Sequence, residues 1–278
     1  MAYPPDDHFL RALASEVRID GDGTCTALLP MNAHLCTDQG GVRLGVIAAL
    51  VDIAGATILG EIVYPDRMAT VSLSLQSERA ARRGPLIARS ALLRKGSRQL
   101  IVSVEVRDGK GADDFAEGEV IAHALLGFAR LPRLPEQADL PAPATRPRVS
   151  SMAHPASRLK EPLLERAGVR VVDAAAGVME IDNHDWVRNS FGTLNGGVVA
   201  LLVEFAGELA ARARLGVAVV TADLDLYYVG QSGAGPIRSQ VTPLRVEAEH
   251  GVFRVELRDG GADDKLLSVG TVHVGRLP

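Results

Sequence analysis

The longest apolar runs in the chain, at 45–62 and 197–214, each carry an acid at their eighth position, Asp52 in the first and Glu204 in the second. Runs of this length, apolar on most sides, predict two long helices buried over most of their surface. Elsewhere the period drops to two. Leu73 and Leu75 alternate with polar residues, as do Val102, Val104 and Val106, then Leu224 and Leu226, then Phe253, Val255 and Leu257. That spacing predicts half-buried strands. Ahead of each long helix a short amphipathic helix is expected (7–16, then 157–167), followed by strands at 17–19 and 24–29, then at 169–172 and 177–181. Three or four strands follow each long helix. A long helix leading into a run of antiparallel strands reads as an α+β fold.

The same order appears twice because the sequence repeats. VEVRDGKGADD, from Val104 to Asp114, returns as VELRDGGADD from Val255 to Asp264. GVIAALVDIAG, from Gly45 to Gly55, returns as GVVALLVEFAG from Gly197 to Gly207, 152 residues later. Asp52 and Glu204 therefore correspond. Two domains follow, at 1–133 and 153–278, joined by a proline-rich extended linker at 134–152.

Charge and composition narrow the function. A net charge of −4 gives no footprint for nucleic acid or an anionic membrane. The stretch 42–63 is apolar enough to raise a membrane span, but Arg43, Asp52 and Glu61 interrupt it, so a buried core helix is the better reading. The N-terminus lacks the basic and apolar regions of a secretory signal. Cys25 and Cys36 have no counterparts in the second repeat and form no CxxC, which points to a reducing cytoplasm. No HExxH, phosphate loop or dinucleotide fingerprint is present, and 230–234 lacks the last glycine of a nucleophile elbow.

The segment NSFGTLNGGVVALLVE, from Asn189 to Glu204, resembles the signature of PaaI-like acyl-CoA thioesterases. That signature is Asn-x-x-Gly-x-x-His-Gly-Gly with an acid seven residues further on. Asn189, Gly192, Gly196, Gly197 and Glu204 match it, and Asn195 replaces the histidine. The first repeat keeps Gly40, Gly45 and Asp52 but has Thr37, Arg43 and Leu44 at the asparagine, the histidine and the first glycine. The resemblance implies a tandem double hotdog, each repeat a long central helix wrapped by a curved antiparallel sheet. It also implies an acyl-CoA substrate, no metal and no organic cofactor, and a homo-oligomer, a dimer of double hotdogs.

A thioester hydrolase needs donors for the carbonyl oxygen and a carboxylate to activate water or attack directly. Asn195, Gly196 and Gly197 open a helix, where free amides and the positive helix end favour an oxyanion and glycine lets substrate approach. Gly196 and Glu204 are eight residues apart on one helix, about 12 Å, so they cannot grip one thioester. The acid must serve a turn in the other repeat. One site then combines Asp52, Gly196 and Asn189, with Thr70 placed where the family often has a serine or threonine. The other combines Glu204 and Thr221 with the Leu44 amide, and the leucine weakens it. Arg79, Arg82 and Arg83 have no basic counterpart in the second repeat and are candidates for coenzyme A phosphate. His123 and His273 correspond and read as structural. Two rival classes remain: a hotdog hydratase or dehydratase, whose aspartate-to-histidine spacing neither repeat shows, and a non-catalytic acyl-CoA-binding module.

Overall fold

The computed structural model describes residues 3–19, 23–133, 147–231 and 233–275. The first repeat runs α1 (Phe9–Ala12), β1 (Glu16–Ile19), β2 (Thr24–Leu29), α2 (Leu44–Ile62), β3 (Arg67–Ser77), β4 (Leu86–Lys95), β5 (Gln99–Asp108) and β6 (Glu119–Leu131). A short strand, β7 (Arg148–Ser151), precedes the second. The second runs α3 (Leu163–Arg166), β8 (Arg170–Asp173), β9 (Val178–Ile181), α4 (Gly196–Leu215), β10 (Val220–Tyr228), β11 (Ile237–Val246), β12 (His250–Asp259) and β13 (Lys265–Gly275). This is the expected α+β double hotdog. The thirteen strands of the described residues form one antiparallel sheet in the order β7-β1-β2-β4-β5-β6-β3-β10-β13-β12-β11-β9-β8.

The repeats meet at β3 and β10, where Ser74 pairs with Asp225 across a local two-fold relation. Both long helices lie against the sheet and against each other. They run antiparallel, and glycine sets their separation. A Cβ at Gly45 would come within 2.6 Å of Leu201 Cα, and one at Gly197 within 2.6 Å of Ala49 Cβ. Each helix N-terminus thus lies against the middle of the other helix, where the acids are.

The short helices differ from the amphipathic reading. The helix expected at 7–16 is one turn, Phe9–Ala12, begun by the His8 side chain accepting from the Leu10 amide and ended before Ala14, whose φ is +53°. The helix expected at 157–167 is a 3-10 turn, Pro155–Ser157, and then Leu163–Arg166. Pro162 lacks an N–H and holds the residue before it extended, so no helix crosses it. Of the linker expected at 134–152, residues 134–146 lie outside the described residues. Its end, β7, pairs with β1 (Val17 opposite Ser150). Among the described residues no helix is long and apolar enough to cross a membrane.

Candidate active site

The antiparallel helices create two equivalent places, and local sequence makes them different. At each, a helix N-terminus from one repeat faces the acid of the other.

At the first, α4 opens with Asn195 as its N-cap, whose Oδ1 accepts from the Gly197 amide at 2.9 Å. The Gly196 amide has no acceptor among the described residues. Asp52 faces this end: a Cβ added to Gly196 would lie 3.4 Å from Asp52 Oδ2 and 3.3 Å from Tyr228 Oη. Asp52 Oδ1 accepts from Thr70 Oγ1 at 2.7 Å. Thr70 adjoins a β-bulge between β3 and β6, a local break in register of the kind that re-aims side chains. Burial raises the Asp52 carboxyl to about 6 against the lowering effect of the Thr70 bond. Tyr228 donates from Oη to the Gly196 carbonyl at 3.0 Å. Burial, and then the Asp52 charge, push its phenol well above the ordinary range. These groups line a cavity of about 370 Å³ built from both repeats, a size that accommodates a small-molecule ligand.

At the second, the N-cap is Arg43, whose side chain makes no capping bond. Glu204 caps the helix instead: Oε1 accepts from the Leu44 amide at 2.7 Å and Oε2 from the Gly45 amide at 3.0 Å. Arg43 turns inward to pair with Glu208, 3.2 Å away and itself 1% exposed. Burial, and then the neighbouring Glu208 charge, raise Glu204 to about 7. Thr221 Oγ1 is buried here with no partner among the described residues, next to the bulge matching that of Thr70. The remaining cavity is about 30 Å³, space for water-sized guests only.

The structure thus brings Asp52, Thr70 and Gly196 together, and separately Glu204 with Leu44. Several other assignments change. Asn189 borders the large cavity, but its Oδ1 accepts from the Phe191 and Thr193 amides and its Nδ2 donates to the Leu194 carbonyl, so it shapes the turn. Asn195 also borders the cavity, yet its side chain is occupied by Gly197 and by Tyr3 Oη at 3.2 Å. Gly197 packs against α2, where its missing Cβ admits Ala49, and it is not among the residues bordering the large cavity. Arg79 and Arg82 line the small cavity, not the large one. Arg79 pairs with Glu119 and Arg82 donates to the Gln39 carbonyl. The Arg83 amide, with those of Arg82 and Gly84, caps Asp108. The basic loop therefore belongs to the occluded place, and the glycine-rich loop of the second repeat, through Gly230 and Gln231, borders the open one.

Sequence reasoning missed Tyr228 and Tyr3. Tyr228 had a signal, since Leu224 and Leu226 point inward and the same period turns residue 228 inward. Tyr3 had none. Its contact with Asn195 spans 192 positions of chain.

The model of the Thioesterase superfamily matches the chain twice, at residues 40–114 and 191–264. The first match contains Asp52 and the second Glu204. Among solved structures, a hot dog fold protein from Alicyclobacillus acidocaldarius aligns over 97% of this chain and 98% of its own, with a TM-score of 0.59 at 15% identity. The tesB protein of Mycobacterium avium subs paratuberculosis aligns over 91% and 93%, at 0.59 and 13%. A 12:0-ACP thioesterase from Umbellularia californica aligns over 91% and 94%, at 0.60 and 10%. At such identities the likeness is one of fold. No curated protein matches the chain.

Proposed function

The chain belongs to the Thioesterase superfamily, a thioester hydrolase of two hotdog repeats, and from that premise we propose that it hydrolyses acyl-CoA thioesters of the PaaI-like type at one site, the open cavity between the repeats. The observation that carries this is the facing of Asp52 and Gly196 across that cavity. The thioester oxygen takes the unpaired Gly196 amide at the N-terminus of α4, where the helix dipole favours developing negative charge. Asp52 either removes a proton from water as it attacks the carbonyl or attacks the carbonyl itself. The acyl–sulfur bond breaks, water supplies hydroxyl to the acid, and its remaining proton passes to the thiolate. Thr70 holds the other Asp52 oxygen, which leaves Oδ2 toward the substrate. Tyr228 steadies the turn that carries the amide.

Leu44 in place of a glycine, the Glu204 cap and the Arg43–Glu208 pair favour a structural role for the second place. The test is thiol release from short, medium, long and aryl acyl-CoAs, and from the same acyl groups on acyl carrier protein. Wild type, Asp52→Asn and Glu204→Gln are compared. Loss in Asp52→Asn with turnover kept in Glu204→Gln is the expected result. Loss in Glu204→Gln alone would move the chemistry to the other place. Thiol release from the carrier protein and not from coenzyme A would change the substrate assignment.

A further inference from the structure

The internal repeat provides a control for the open cavity, because the α2 residues bordering it have counterparts on α4 beside the occluded place. One turn beyond Asp52 on α2 stands Ala56, and one turn beyond Glu204 on α4 stands Glu208. Each borders its own cavity. Glu208 brings a carboxylate that recruits Arg43 and fills the space; Ala56 brings a methyl group. Besides Ala56, the first repeat gives the open cavity the apolar residues Val17, Ile53, Met68 and Phe128, with Thr57 next to Ala56. Among the described residues, the ionisable groups lining the whole cavity are Asp52, Tyr3 and Tyr228, and none is a cation.

We propose that this apolar lining receives the acyl chain of an uncharged monocarboxylic thioester, and that Ala56 sets how long a chain it admits. The proposal rests on the reading of the open cavity as the thioester site. Ala56 lies about 6 Å along the helix from Asp52, at 1.5 Å per residue, so a short acyl group ends before it and a longer one passes it. A larger residue at 56 penalises the long chain selectively. A second carboxylate on the acyl group would lie against this largely apolar lining with no cation among the residues bordering the cavity to offset its desolvation.

The experiment has two readouts. The first is kcat/KM for acetyl-, butyryl-, octanoyl-, dodecanoyl- and succinyl-CoA with wild type, Ala56→Val and Ala56→Leu. The expected result is a graded fall in the dodecanoyl-to-acetyl ratio, about 10–200-fold for leucine by the usual worth of misplaced methylenes in an apolar pocket. Succinyl-CoA is expected to be a poor substrate beside butyryl-CoA. The second is calorimetric binding of S-octyl- and S-dodecyl-coenzyme A, thioethers that cannot be hydrolysed. Ala56→Leu is expected to weaken the dodecyl compound more than the octyl one. An equal loss across all chain lengths, or succinyl turnover matching butyryl, would overturn the assignment. If no acyl-CoA is hydrolysed, the hydrolase reading of the site fails, and the thioether titrations still decide whether the lining around Ala56 takes the chain.

Discussion

Asp52 and Glu204 hold equivalent positions on the two central helices, but only Glu204 closes on the helix end it faces. Its Oε1 lies 2.7 Å from the Leu44 amide and its Oε2 3.0 Å from the Gly45 amide. Asp52, among the described residues, has Thr70 Oγ1 as its one hydrogen-bond donor. The extra methylene of glutamate gives it the reach, and the N-caps complete the difference. Asn195 caps α4 with its own side chain, while Arg43 leaves the end of α2 to Glu204. One acid is spent on capping; the other is left beside an unpaired amide.

Asp52→Asn should lower kcat by roughly 10²–10⁴-fold, the usual contribution of a positioned base. Because the wild-type reaction needs the ionised carboxylate and burial raises Asp52 to about 6, activity should climb as pH rises through about 6. A profile that rises near pH 4 would mean that Asp52 titrates as an exposed carboxyl and is not the group proposed.

The same shift makes a stability prediction. A carboxyl whose folded value lies above the ordinary 3.8 holds its proton better in the folded state. Its contribution is complete below about pH 3.8 and is lost as pH rises through about 6. Asparagine has no such loss. Melting temperatures of wild type and Asp52→Asn should therefore move in the mutant's favour between pH 4 and pH 8. A gap independent of pH would contradict the burial-driven shift.

The repeat and its helices were legible because they rest on long apolar periodicity, and Asp52 stood out as an acid retained inside it. The crossed pairing was legible too, since helix rise forbids an acid from reaching its own N-terminus. What escaped was decided by contacts distant in sequence. The most visible repeat, RDG with its trailing acids, is a loop cap: Asp108 accepts from the Arg82, Arg83 and Gly84 amides, and Asp259 from those of Ala234 and Gly235. The arginines of 79–83 sit beside the occluded cavity, a location that no composition argument assigns. Gly197 reads as a ligand-facing glycine until the Ala49 contact shows that helix packing needs it.

At the occluded place, Arg43→Ala should cost about 3–5 kcal/mol, the usual penalty for stranding one member of a buried ion pair. Glu208 would keep Arg212, 3.8 Å away, as its remaining cation. Removing Glu208 as well should recover part of that loss, so the double variant should be more stable than Arg43→Ala alone. Denaturant titration measures both. Additive losses would show that the pair is not coupled in the folded protein.

Asp52→Glu keeps the charge and is nevertheless expected to abolish turnover. The added methylene extends the carboxylate toward the N-terminus of α4, where the Gly196 amide is unpaired, as Glu204 extends to Leu44 and Gly45. The carboxylate would then occupy the place of the thioester oxygen and be held away from water. A misplacement on the order of 1 Å at a reacting centre costs about 10²-fold, and here the oxyanion donor is consumed as well. Capping an open helix end should at the same time raise the melting temperature. Thiol release and thermal denaturation of Asp52→Glu beside Asp52→Asn provide the check. An active and destabilised Asp52→Glu would show that side-chain reach does not separate the two acids.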